Sequence, residues 1–321
     1  MPSRKFGLDS QRKQPLTDNS SGYSLLTQKL HYDFMKKLFN FGKRIGNFFP
    51  YSTFILFAVL FAMTVAAEAK PPKKILVVTV TTGFPHSSVP TAEKTLTDLG
   101  NKSGAFKVVG IVRSGPRPKD KTEETAWMEK VTRDLAEKMS PAALKNYDGI
   151  IFANTTGDLP LPDKDAFLQW VADGHAFIGM HSATDTFRGH TPLDPYVEMI
   201  GGEFKTHGAQ VEVTCINQDP KHPACKNFGP TFKVKDEIYI MNGFDRAKVH
   251  GLLALDKHPN SGEPGDYPIA WCKKYGEGKV FYTSLGHRED VWESDAYQKH
   301  ILGGIKWALG LEKGDAKPQT E

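Results

Sequence analysis

The chain has 321 residues, with 41 Lys/Arg against 37 Asp/Glu, a formal net charge of +4, and three cysteines. That length holds one large domain or two modest ones. The basic excess sits at the N-terminus: residues 1–69 carry 9 of the basic and 4 of the acidic side chains, which leaves 32 and 33 beyond them. The rest of the chain is therefore close to neutral, with no positive footprint for nucleic acid.

Phe48 to Ala67 is uncharged and follows Lys36, Lys37, Lys43 and Arg44, and Ala67-Glu68-Ala69 offers a small-x-small cleavage site. A basic start, an apolar run and such a site make a secretory signal peptide. Residues 1–69 are read as this leader. Because Lys36 and Lys37 directly follow Met35, residues 1–34 read as a misassigned extension. Cleavage and a periplasmic or secreted location are the expectation. The alternative is an uncleaved anchor, since about 20 apolar residues suffice to span a bilayer.

Residues 70–321 read as a single domain. Lys74 to Thr81 is an apolar, β-branched run, the mark of a strand buried on both faces. Gly83 to Ser88 is a loop, Val89 to Leu99 a helix and Phe106 to Arg113 a second strand. Trp127, Met128, Val131 and Leu135 recur at helical spacing within Glu123 to Lys138. Asp148 to Asn154 is a third strand, Leu161 to Ala172 a helix with Pro162 at its start, and His175 to Met180 a fourth strand. Strands alternating with helices predict an α/β, mainly parallel, doubly wound sheet. Beyond Gly202 the pattern changes. Gln210 to Ile216, Phe232 to Ile240 and Val249 to Asp256 read as strands without helices between them, a β-rich insertion. Pro268 to Lys274 and Lys279 to Leu285 form a hairpin around Tyr275-Gly276-Glu277-Gly278, and Ala296 to Leu309 is a closing helix. The polar tail after Glu312 reads as loose. Cys215 and Cys225 flank a short loop and either pair or, with Cys272, stay single.

Parallel α/β sheets bind ligands beyond the carboxyl ends of their strands. The turns at those ends are Gly83-Phe84-Pro85-His86-Ser87-Ser88, Asn154-Thr155-Thr156-Gly157-Asp158, His181-Ser182-Ala183-Thr184-Asp185 and Gly286-His287-Arg288-Glu289-Asp290. Three of the four carry a histidine. A single such histidine is more often a hydrogen-bonded turn residue, but His86, His181 and His287 on one edge suit proton transfer or metal ligation. Asp185 and Glu289 are near enough in sequence to join them. Asp236 and Glu237 are neighbours on a predicted strand and face opposite ways: either one points toward the crevice and the other toward solvent or an arginine, or the two are a solvated acidic pair. Ser182 lacks the Gly-x-Ser-x-Gly frame of a nucleophile elbow and reads as a helix-start serine. His222 reads as structural and His207 as a pocket candidate. Trp271, Tyr282, Phe84 and Tyr239 are aromatics that either fill the core or stack on sugar rings. The absence of GxGxxG and GxxxxGK[ST] argues against nucleotide cofactors.

GFPHSS, NTTGD, GHAFIGMHSATD, GGEF, KHPA, DEIYI, PIAWCKKYGEGKVFYTSLGH and GGIKWALG stand in that order between Lys74 and Leu311. Together they resemble the ThuA-like family, the trehalose-utilisation group of the class I glutamine amidotransferase-like superfamily. The resemblance implies a flavodoxin-like three-layer sandwich. It also implies that His181 stands where the amidotransferases carry their nucleophilic cysteine, with His287 and Glu289 matching their His-x-Glu pair. Without the thiol no glutamyl thioester forms, so glutaminase activity is excluded. The expected function is exported carbohydrate processing, on a disaccharide or keto-sugar derivative, by histidine acid–base or metal-assisted chemistry. The alternative is a non-catalytic sugar-binding domain of the same fold. His86, His181, His287 and Glu289 are the expected catalytic set, and the three histidines the expected ligands of a divalent ion such as zinc. Asn154, Thr155, Asp185, His207, Glu237 and Tyr239 are the expected substrate contacts.

Overall fold

The structure is a computed structural model describing residues 36–37 and 71–319; the apolar run and the expected cleavage site of the expected leader lie outside the described residues. The framework is a nine-stranded sheet. Its parallel half is built from β1 (Lys73–Thr79), β2 (Phe106–Arg113), β3 (Gly149–Ala153), β4 (Ala176–Met180) and β11 (Gly278–Thr283). These strands lie in the order β2-β1-β3-β4-β11, all parallel. This is the 2-1-3-4-5 arrangement of flavodoxin-like folds.

The alternation of side chains along each strand splits the interior in two. Ile75, Val77, Ile151, Ala153, Ile178 and Met180 face one core, which helices α1 (Val89–Ser103), α6 (Glu289–Glu293) and α7 (Asp295–Ala308) close through Leu96, Trp292 and Ile305. Leu76, Val78, Ile150, Phe152 and Phe177 face the other, which α2 (Lys121–Met139), α3 (Pro141–Leu144), α4 (Lys164–Ala172) and α5 (Pro195–Ile200) close through Val131, Leu144, Phe167 and Tyr196. That double burial is why these strands read as unbroken apolar runs. It also forces their functional residues to the ends, where turns rather than packed faces are available.

Between β4 and β11 the chain adds β5 (Glu203–His207), β6 (Val211–Asn217), β7 (Thr231–Asp236), β8 (Tyr239–Asn242), β9 (His250–Lys257) and β10 (Pro264–Tyr275). β10, β9, β6 and β7 extend the main sheet antiparallel from β11. β5 and β8 form a separate two-stranded ribbon.

Four expectations need correction. The run Phe232 to Ile240 is two strands: after Asp236 the chain leaves the large sheet, and Tyr239 instead pairs with His207 of β5. Helix α4 begins at Lys164, capped by the Asp163 carboxylate on the Ala166 amide, so Pro162 precedes the helix. The tail is bound rather than loose: Trp307 Nε1 donates to the Gly314 carbonyl at 3.1 Å, and His250 Nδ1 lies 2.9 Å from that of Lys317. Both of these contacts are to backbone carbonyls of the tail, which side-chain composition does not reveal. Ser182 does not cap a helix; its hydroxyl lies 3.4 Å from His86 Nδ1.

Cys215, Cys225 and Cys272 are free and buried. Burial pushes the Cys215 thiol up to about 12 and raises Cys225 and Cys272 as well. Thiolate, the reactive form, is then scarce. All three cysteines are expected to resist a thiol-specific disulfide reagent in the folded protein and to react together on unfolding in guanidinium; rapid labelling of the folded protein would contradict their placement.

Candidate functional site

His181 begins a 3-10 turn, His181–Asp185, that follows β4. It adopts φ +49°, a left-handed conformation that a residue bearing a Cβ rarely occupies without support from its surroundings. That support comes from β11 and its following turn: the Tyr282 hydroxyl donates to the His181 carbonyl at 2.7 Å, and His181 Nδ1 lies 2.8 Å from the Ser284 carbonyl. A carbonyl only accepts, so Nδ1 carries the proton and Nε2 presents its lone pair.

Three groups converge on that lone pair. His86 Nε2 lies 3.2 Å away, His287 Nδ1 3.3 Å and the Tyr239 hydroxyl 3.1 Å. Glu237 closes the cluster, with Oε2 3.2 Å from His287 Nδ1 and 3.8 Å from His181 Nε2. One donor atom each from His86, His181, Glu237 and His287 lie within 4.8 Å of one another. His207 borders them, its Nδ1 3.3 Å from Glu237 Oε1. Phe204 packs on the Tyr239 ring, with centroids 4.3 Å apart.

The electrostatics follow from burial and proximity. Burial, then the neighbouring His287, lowers His86 to about 4, against a smaller opposing pull from Glu237. Burial and the His86 neighbour hold His181 well below the usual imidazole range. The Glu237 hydrogen bond raises His287. Burial pushes the Glu237 carboxyl up, but the hydrogen bond and charge of His287 outweigh it and leave Glu237 below its ordinary value. Two imidazoles are thus kept neutral beside an imidazole–carboxylate pair.

This donor set fits a divalent cation. Tetrahedral zinc with nitrogen ligands at about 2.0–2.1 Å separates its ligand atoms by roughly 3.3–3.4 Å, close to the His86–His181, His181–His287 and His287–Glu237 spacings of 3.2–3.3 Å, with His181–Glu237 wider at 3.8 Å. A single Nε2 lone pair cannot accept from three donors, whereas a cation satisfies several lone pairs together. The second nitrogens of two ligands are also provided for, His181 Nδ1 by the Ser284 carbonyl and His86 Nδ1 by the Ser182 hydroxyl, the arrangement that orients metal-bound imidazoles.

The other predicted residues lie around this cluster. Glu289 accepts from the Ser87 hydroxyl at 2.6 Å, and the carboxylate on His287 is Glu237's. Asp185 is paired with Arg188, and burial raises its carboxyl. The Thr155 hydroxyl bonds that of Thr186 at 2.8 Å. Asn154 donates to the Ser88 hydroxyl at 3.0 Å and to the Gly286 carbonyl at 3.1 Å. Asp236 does not reach solvent: it is fully buried and accepts the Gly286 amide at 2.7 Å. Trp271 and Tyr282 are core residues, and Phe84 is 62% exposed beside His86. The buried His222 accepts the Ala224 amide through Nδ1 at 3.2 Å. Sequence reasoning missed the Ser284 carbonyl, which as backbone carries no residue-type signal, and Ser182 as a partner of His86.

Fold and site together define a doubly wound α/β protein with a three-histidine, one-glutamate cluster at the carboxyl edge of its sheet. The family model for ThuA, trehalose utilisation, matches residues 74–308, and the chain belongs to that family. Among solved structures, a ThuA-like protein from Parabacteroides merdae is similar with a TM-score of 0.57 and 19% identity, over 74% of this chain and 90% of that one. One from Bacteroides uniformis has a TM-score of 0.56 and 20% identity, over 76% and 94%. At those identities they show the shared fold. Among curated proteins none matches the chain.

The buried imidazoles make stability depend on pH. His86, His222 and His300 are each lowered to about 4 by burial. Below the unfolded value near 6.5 the unfolded chain binds the protons, so the stability these groups leave intact at neutral pH is lost as pH falls from about 6.5 to 4. Asp236, raised to about 6 by burial, acts oppositely, as do Asp185 and His287, while His181, held well below the imidazole range, adds to the loss. The urea midpoint is expected to fall steadily from about pH 7 to about pH 4.5; a flat or rising midpoint would contradict the buried, neutral placement of these histidines.

Proposed function

We propose that this protein is a metal-dependent, carbohydrate-processing enzyme whose ion is held by His86, His181, Glu237 and His287. Its family, that of trehalose utilisation, has a carbohydrate-related role. The observation that carries the reading is the spacing of the four donor atoms, all within 4.8 Å of one another, with the outer nitrogens of His86 and His181 already partnered. Zinc is the ion the three nitrogens and one carboxylate suit best.

The substrate proposed is a disaccharide or a keto-sugar derivative. A bound divalent ion would supply Lewis-acid polarisation of a substrate oxygen. The chain's own groups do the rest. Tyr239, which burial keeps protonated, presents a hydroxyl donor next to His181. His207 and Glu237 form a second ionisable pair at the border of the cluster. Phe84 offers an exposed ring beside His86 for stacking on a sugar face. The leader supports export to the periplasm or the medium, with a small carbohydrate as the partner rather than nucleic acid.

A metal-free reading has its own support: His287 is raised while His86 and His181 are lowered, and ionisable groups pushed apart in this way are suited to act as acid and base. A non-catalytic sugar-binding domain is the third reading. The imidazole centroids of His86, His181 and His287 lie 4.7–5.2 Å apart in a largely buried cluster, which favours a catalytic centre over an open binding groove.

Protein purified without chelator is expected to carry about one equivalent of a divalent ion, and His181→Ala to carry about a tenth of that or less. Turnover of disaccharides and keto-sugars is expected to vanish with strong chelation and to return on adding the ion. Metal-free protein with full, chelator-resistant turnover would favour the acid–base reading. Unchanged turnover in His181→Ala would remove His181 from the chemistry altogether.

A further inference from the structure

Asn154 touches all three turns that carry the histidines. Its backbone amide donates to the carbonyl of Met180, the residue before His181, at 3.2 Å. Its side-chain Nδ2 donates to the hydroxyl of Ser88, two residues after His86, at 3.0 Å. The same Nδ2 donates to the carbonyl of Gly286, the residue before His287, at 3.1 Å. The Gly286 carbonyl can only accept, so the NH2 group must face it and the amide orientation is fixed by chemistry. The residue is fully buried.

Its backbone shows why the residue type matters. Asn154 sits at φ +56°, where Gly, Asn and Asp are the residues most readily accepted. Glycine would satisfy the backbone but make neither side-chain bond. Aspartate would satisfy the backbone and the shape but turn an acceptor oxygen toward the Gly286 carbonyl. Asparagine alone of the three gives both the conformation and two donors. Oδ1 has no hydrogen-bond partner, so the two Nδ2 bonds are what the side chain contributes.

We propose that Asn154 is a positioning residue of the metal centre, a single side chain that fixes the His86, His181 and His287 turns relative to one another. This rests on the metal reading above and differs from a sugar contact, because every bond Asn154 makes is to the turns themselves. Loss of the side chain leaves the Ser88 hydroxyl bond to the Gly286 carbonyl at 3.2 Å, so the centre is expected to loosen rather than collapse.

The test measures Zn2+ and Co2+ affinity by competition with a chromophoric chelator, in the absence of sugar, together with the Co2+ visible spectrum and urea stability. Asn154→Gly and Asn154→Asp are compared with the parent chain. Asn217→Ala serves as the control, since the side chain of Asn217, at the end of β6 away from the site, is likewise a buried double donor, to the Cys225 and Gly229 carbonyls. Both Asn154 variants are expected to bind about 10- to 100-fold more weakly, as losses of outer-shell partners do, with an altered Co2+ spectrum. Asn217→Ala is expected to lose stability while keeping the parent affinity and spectrum. Parent-like affinity and spectrum in Asn154→Gly would overturn the proposal, and so would an equal loss of affinity in Asn217→Ala. If the glycine variant does not fold, the aspartate variant decides by the same criteria. A parent chain that binds neither ion would overturn the metal reading itself, and this inference with it.

Discussion

The backbone of Gly286 joins four parts of the chain that are distant in sequence. Its carbonyl accepts from Ser88 Oγ at 3.2 Å, Asn154 Nδ2 at 3.1 Å and Trp292 Nε1 at 2.7 Å. Its amide is given to Asp236 Oδ2 at 2.7 Å. Ser88 belongs to the turn of His86, Gly286 precedes His287, and Asp236 precedes Glu237. A glycine is required there: φ is +119°, and a Cβ would stand 2.9 Å from the Tyr297 hydroxyl and 3.1 Å from Trp292 Nε1. The parallel sheet delivers the strand ends to one edge, but only bonds such as these set the spacing between the side chains that extend beyond it.

The same edge explains the charge pattern. Groups lodged between two packed cores lose water, so the deeper imidazoles, His181 and His86, are kept neutral and their lone pairs remain free. His287 lies nearer the surface beside a carboxylate and is pushed the other way. Depth and one ion pair therefore separate three chemically identical side chains into two kinds.

Much of this was legible in the sequence. The strands buried on both faces declare themselves as apolar runs, and a sheet wound from them puts His86, His181 and His287 on one edge. Glu237 was harder to place against His287, because His-x-Glu spacing points to Glu289. The break of the chain after Asp236 decides the matter, and it depends on pairing between β5 and β8 that no local pattern announces. Asp236 and Glu237 left open which of them faces the crevice, and Asp236 accepts the amide of a residue 50 positions away. The bound tail and the Ser284 carbonyl were hidden for a related reason: both act through backbone atoms. Local periodicity reveals which face a residue takes, while the partner it meets there is set by long-range topology.

The central claim is that His86, His181, Glu237 and His287 form one metal-binding centre. Anomalous diffraction from crystals grown with zinc, collected on both sides of the zinc absorption edge, tests it most directly. The account predicts a single strong peak about 2.0–2.2 Å from His86 Nε2, His181 Nε2, His287 Nδ1 and a Glu237 carboxylate oxygen. No peak among these four side chains, with His86 Nε2 still hydrogen-bonded to His181 Nε2, would contradict it.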